Sequence, residues 1–119
     1  MDYEIINIIY DLVDEIKKTD CYKEYKRLES LLENKYVDLI KKLKVIKKEL
    51  NSLYKYSNEY KLKYQELLNI KEIFYNDEDY VNYKLNERQI NDLLGNINKE
   101  IAKSISNNIN YVNELGIII

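Results

Sequence analysis

Residues 36–53 read YVDLIKKLKVIKKELNSL. Within them Tyr36, Leu39, Leu43, Ile46, Leu50 and Leu53 recur at steps of 3, 4, 3, 4 and 3. That alternation holds one apolar seam along one side of an α-helix, the pattern of helices that pack along their length. The same register passes Ser57 into Tyr60, Tyr64 and Leu67. The middle of the chain is therefore either one long helix or two helices joined near Tyr56, Ser57 and Asn58. Serine and asparagine compete with the helical backbone through their own side chains and serve well as caps, which favours a break there.

Working outward, Ile5, Ile9, Leu12 and Ile16 repeat at 4, 3 and 4, with Ile6 and Val13 widening the stripe. This first helix ends at Lys17 and Lys18, cations suited to a helix C-terminus. Thr19 and Asp20 offer an N-cap to a second helix carrying Cys21, Tyr25, Leu28 and Leu32 on one face, with Asn34 as its expected break. Beyond the seam, Asn76, Asp77, Glu78 and Asp79 form a polar cluster placed where a helix dipole favours acids. The last helix then puts Tyr80, Tyr83, Ile90, Leu94, Ile97 and Ile101 on its core face. Its end is expected near Asn107 and Asn108, unless Ile109 and Val112 prolong it to a stop at Gly116. Residues 107–119 form a short tail whose Ile117, Ile118 and Ile119 need a dock, on this subunit or another.

Composition supports helices throughout. The 119 residues include no proline, two glycines, no histidine, one cysteine and one methionine. Sandwiches, barrels and doubly wound sheets need many turn residues, and phosphate-cradling loops need glycines. Without histidine there is no His-based acid–base or nucleophile-activating arrangement, and a lone Cys21 forms no internal disulfide. Asp77, Glu78 and Asp79 point in different directions at a helix start and lack calcium-loop spacing, so capping explains them better than a metal site. Cys21 reads as core in preference to a redox thiol. No nucleophile meets a base, and neither catalysis nor a cofactor is expected. Thirteen tyrosines against one phenylalanine fit A/T-rich codon usage. Apolar runs reach only three or four residues, and the start is acidic at Asp2 and Glu4. Neither a spanning helix nor a secretory leader is expected, and the cytoplasm is the expected compartment.

The expected fold is all-α: an antiparallel bundle of four to five helices over residues 1–119, one or two of them long. A helix of ~30 residues is ~45 Å long, so so short a chain makes a thin bundle with apolar surface to spare. Association with itself, as a dimer or higher, is the expected remedy.

Charge is segregated along the chain. Residues 1–34, 35–63 and 64–119 carry net charges of −4, +6 and −4 within a total of −2. Lys41, Lys44, Lys48 and Lys55 are read on the face opposite the seam, with Lys42 and Lys47 flanking it. The plain reading packs this basic helix between acidic neighbours, flanking lysines meeting their carboxylates. The sharper one has the outward lysines dock an acidic partner; a pI near 5.3 and two arginines argue against nucleic acid as the main ligand. Tyr56, Tyr60 and Tyr64 fall at i, i+4 and i+8, with Tyr54 nearby. Core packing is the favoured reading of that stripe, and interface anchoring the alternative.

Several of these patterns together resemble one family. Ile9, Tyr10 and Asp11 lie in a short first helix, followed by Tyr22-Lys23-Glu24-Tyr25-Lys26, a Leu31-Leu32-Glu33-Asn34 turn and a long Lys/Leu/Glu helix. The last helix reads Tyr80-Val81-Asn82-Tyr83, then Ile90-Asn91-Asp92-Leu93-Leu94 and Ile97-Asn98-Lys99-Glu100-Ile101. Over about residues 5–105 this resembles the YlbF/YmcA family of small helical regulators, with Tyr22, Tyr25, Tyr80, Leu94, Asn98 and Ile101 carrying most of the likeness. The chain departs from the family's Asp-Pro at Asn34-Lys35 and from its Gly- or Pro-containing loop at Tyr56-Ser57-Asn58. Some relatives belong to a complex with an iron–sulfur cluster; a single cysteine cannot supply four ligands, so no cluster is carried over. The resemblance implies regulation through protein contacts: accessory action in RNase Y-dependent mRNA processing, influencing competence, sporulation and biofilm formation. It also implies related family members and an RNase Y-type nuclease as partners. Lys41, Lys44, Lys48, Tyr56, Tyr60 and Tyr64 are the candidate contacts. A purely structural oligomer and a weak direct RNA binder are the alternatives.

Overall fold

Four helix starts and one shared residue set the architecture of the computed structural model, which describes residues 2–114, with side chains through residue 107. Helix α1 spans Tyr3–Lys17, α2 Asp20–Lys35, α3 Val37–Ser52, α4 Asn58–Tyr75 and α5 Glu78–Glu114. The first N–H groups of a helix lack intrahelical acceptors, so each start needs an oxygen nearby. Asp2 accepts from the Glu4 N–H at 2.8 Å, Thr19 from Tyr22 at 3.4 Å and Ser57 from Tyr60 at 3.1 Å. Asp77 does the same for α5, from the N–H groups of Asp79 and Tyr80 at 2.8 and 3.3 Å. Helix α3 has no side-chain cap. It follows α2 through Tyr36 alone, which donates its N–H to Leu32 and offers its carbonyl to Ile40.

Residues 1–87 form one compact unit and residues from Arg88 onward a second. In the first, α3 and α4 make an antiparallel hairpin around the turn at residues 53–57. Tyr36 meets Phe74, Lys42 pairs with Glu66 at 3.4 Å and Glu49 with Lys63 at 3.0 Å, one strand of the hairpin rising as the other falls. Ile46, Leu67, Ile70 and Phe74 are the buried centre, with Tyr36, Leu39, Ile40, Leu43, Leu50 and Tyr80 packed against them. Leu28 and Leu32 of α2 are also buried. The seam read from residues 36–53 is thus the face that packs, and the chain is all-α among the described residues.

Several expectations need correction. The break after α2 falls at Tyr36, two residues beyond Asn34, because long-range partners hold the Tyr36 ring and hydroxyl. The middle break is a full turn, so Leu53 ends the seam as an extended cap residue outside α3. The α1 stripe, in line with a thin bundle that has apolar surface to spare, covers no core: none of its residues is buried, and Ile5 and Ile9 are 52% and 43% exposed. Tyr56 and Tyr64 are exposed and Tyr60 is half-buried, so the tyrosine stripe is not core.

The second unit is the continuation of α5. Its helix runs past Asn107 and Asn108 to Glu114; the expected stop at Gly116 and the three terminal isoleucines lie outside the described residues. Ile90 and Ile97 are half-buried, while Leu94, Ile101 and Ile105 are exposed, which corrects the reading of that face as core. Gly95 lies in the helix interior, and a Cβ there would meet nothing within 4 Å. Replacing Gly95→Ala removes unfolded-state entropy without a clash and is expected to stabilise by about 0.5–1 kcal/mol. Thermal denaturation followed by circular dichroism checks this; an unchanged or lowered midpoint would contradict open surroundings at Gly95.

Candidate functional site

The polar centre of the first unit is Asp77, whose two carboxylate oxygens serve different helices. Oδ1 caps α5, as described above. Oδ2 accepts from Lys35 Nζ at 2.5 Å and from the Tyr36 hydroxyl, the two residues at the α2–α3 junction. The side chain is only 5% exposed, so its charge needs these donors. They hold its carboxyl down to about 2: Lys35 first, Tyr36 next, then the backbone N–H groups, against opposing burial. In return Asp77 pushes the Lys35 ammonium and the Tyr36 phenol above their usual values. Sequence reading found the cap at this cluster but not the second role, because Lys35 and Tyr36 lie some forty positions upstream.

A second tie joins α2 to the start of α5. The rings of Tyr25 and Tyr83 stack at 4.7 Å and 16°, and the Tyr83 hydroxyl donates to Tyr25 at 3.1 Å. Burial, with that hydrogen bond, raises the Tyr83 phenol well above its usual range. Tyr80 packs on Phe74 at 5.5 Å. Tyr25 and Tyr80 are therefore packing residues. Tyr22 is half-buried near the α2 start, and Leu94, Asn98 and Ile101 lie on the exposed α5 helix. Cys21 is also half-buried, its Sγ 3.4 Å from the Thr19 hydroxyl, outside the buried centre.

Two surface features could take a partner. A groove of about 490 Å³ runs over Ile40, Leu43 and Tyr75, with Lys44 and Lys47 on α3, Lys71 on α4, and Glu29 and Glu33 on α2. Lys44 therefore belongs with Lys47 in this groove, not with the outward Lys41 and Lys48; neither of the exposed pair lines it. Of the lysines read as flanking the seam, Lys42 meets a glutamate and Lys47 does not, among the described residues. The second feature is the α3–α4 turn. There Tyr56, Tyr60 and Tyr64 line a shallow hollow of about 410 Å³ with Lys55 and Lys61. The Tyr60 and Tyr64 rings lie parallel, 6.2 Å apart, and Tyr54 meets Tyr56 edge-on at 5.5 Å. No helix among the described residues is long and apolar enough to cross a membrane.

The Asp77 carboxyl has a pH signature of determinate sign. Its folded value lies below the ordinary 3.8, so its contribution is complete above about pH 4 and is lost as pH falls toward 2. Asp77→Asn is expected to flatten that limb of the stability–pH curve, measured by urea denaturation between pH 2 and 6. Asp77→Ala, which also removes the cap, is expected to cost at least the ~1 kcal/mol typical of a lost N-cap. An unaltered acid limb in Asp77→Asn would show that the carboxylate is not so paired.

No curated protein matches the chain. A chain of the X-ray crystal structure of Bacillus subtilis RicA in complex with RicF is similar at a TM-score of 0.74 and 16% identity, over 92% of this chain and 99% of that one. At that identity the likeness is one of fold. A profile of the family described as "Control of competence regulator ComK, YlbF/YmcA" matches residues 5–106. Spanning nearly all the described helices, that match makes the chain a member of the YlbF/YmcA family.

Proposed function

We propose that this protein is a non-catalytic regulatory adaptor that acts by presenting helical surfaces to other proteins, itself included. The observation that carries the reading is apolar surface left open at both ends of the chain: Ile5, Ile8 and Ile9 on α1, and Leu94, Ile101 and Ile105 on α5. Exposed apolar residues in a row along a helix, unlike single scattered ones, mark sites that a partner covers. Membership of a family of competence regulators supports it, as does a similar fold crystallised as RicA in complex with RicF. The finer reading is that the partners are related family members and an RNase Y-type nuclease, whose mRNA processing the adaptor biases, with effects on competence, sporulation and biofilm formation.

The contact candidates fall into two groups. Lys41 and Lys48 stand outward on α3, while Tyr56, Tyr60 and Tyr64 gather at the α3–α4 turn. Tyrosines at a surface bury much area at small entropy cost, which suits them as anchors. Mapping RNA ends across the transcriptome, with the gene intact, deleted or replaced by Tyr56→Ala/Tyr60→Ala/Tyr64→Ala, tests the reading. A defined set of operon cleavages is expected to disappear on deletion and to be reduced by the tyrosine variant. An unchanged map on deletion would overturn the processing role.

One observation favours a second reading, direct contact with single-stranded RNA: the parallel Tyr60 and Tyr64 rings line one hollow with Lys55 and Lys61. Bases stack on such rings while lysines meet phosphates. This reading requires affinity for an oligonucleotide that falls steeply with salt, with a shallower slope in Lys55→Ala/Lys61→Ala.

A further inference from the structure

Helix α1 and the α2–α3–α4 groove have matching chemistry but do not meet as partners within the chain. On α1, Ile5, Ile8, Ile9 and Leu12 form an exposed apolar stripe, and their exposure is greatest in the half away from α2. Glu4, Asp11 and Glu15 are spaced at 7 and 4, so they follow one edge of that stripe, and Lys17 stands on the other edge. The helix is acidic, with four carboxylates against one lysine. The groove is the reverse. Its apolar floor of Ile40 and Leu43 lies beside cations from α3 and α4, Lys44, Lys47 and Lys71, while its carboxylates, Glu29 and Glu33, come from α2. Among the described residues none of those three lysines makes an ion pair.

We propose that α1 of one copy seats in this groove of a second copy, its acidic edge against Lys44, Lys47 and Lys71 and Lys17 toward Glu29 and Glu33. The inference rests on the self-association in the reading above and names the surfaces that perform it. A twofold dimer makes the contact twice, each copy giving a helix and receiving one. Both apolar surfaces are covered, and three unpaired lysines gain partners. The charge pattern fixes the direction in which the helix lies, because reversing it would set acid against acid.

A charge exchange tests the proposal on the full chain. One variant carries Asp11→Lys/Glu15→Lys, the other Lys44→Glu/Lys47→Glu; all four positions are exposed. Sedimentation velocity is expected to show a wild-type dimer and homodimers at least about tenfold weaker for each variant, since both contacts then set like charges together. Mixed in equal amounts, the variants are expected to recover near-wild-type dimerisation, because both contacts of the mixed dimer are again complementary. Wild-type dimers unaffected by either variant, or weakened variants that do not recover on mixing, would overturn the inference and leave self-association standing on another surface. A monomeric wild type would overturn both. Should a reversed chain lose helicity by circular dichroism, the neutral sets Asp11→Asn/Glu15→Gln and Lys44→Gln/Lys47→Gln replace it. Weaker dimers are then expected, and unchanged ones contradict the docking.

Discussion

One carboxylate holds three helices in register. Asp77 sits at the α4–α5 connection, where a helix start demands an acceptor for its free N–H groups. Its other oxygen meets Lys35 and Tyr36 at the α2–α3 junction. Tyr36 in turn lays its ring against Phe74, with centroids 4.9 Å apart, and its backbone is the whole connection between α2 and α3. A chain without proline and with almost no glycine has few stiff turns with which to fix helix directions. A shared buried polar group does that work here. The cost of burying the charge is offset by four donors, so the node specifies an arrangement more than it adds net stability.

That arrangement uses little apolar surface. The buried centre consists of a few side chains from α3 and α4 with Leu28 and Leu32 of α2, whereas α1 and the continuation of α5 keep apolar residues in solvent. A small helical unit with its strongest contacts in one hairpin leaves apolar side chains of α1 uncovered among the described residues. A regulator needs surfaces stable enough to be presented and uncovered enough to be recognised. The α3–α4 turn adds a third surface of different character, aromatic and basic instead of aliphatic and acidic.

Much of this was legible from spacing. The 3–4 alternation from Leu39 to Leu50 marks the packing face because helical geometry leaves no other way to align those residues. Thr19, Ser57 and the acids near Asp77 announce helix starts because only short polar side chains reach the free N–H groups. Periodicity identifies a face but not its cover, and so the Leu94–Ile101 face of α5 reads as core although both residues are exposed among the described residues. Local chemistry placed the second break at Asn34, whereas tertiary partners moved it to Tyr36. The pairing of Asp77 with residues some forty positions away carries no local signal. Nor does the groove, where the packing of α2 against α3 sets Glu29 and Glu33 beside Lys44 and Lys47. The family was legible only through its sequence pattern, two of whose tyrosines, Tyr25 and Tyr80, are structural ties.

The interdependence of the helix junction and the α5 cap is measured most directly by a double-mutant cycle of Tyr36→Phe and Asp77→Asn, with unfolding free energies from urea denaturation at pH 7. Asparagine keeps an oxygen for the cap, and phenylalanine keeps the ring on Phe74, so the cycle isolates the bond between phenol and carboxylate. Losses that fail to add, by more than the ~0.5 kcal/mol scatter of independent sites, are expected, with the second substitution costing less once the first is made. Additive losses would contradict a tie between the Tyr36 phenol and the cap residue, and would leave Lys35 as the link from Asp77 to the α2–α3 junction.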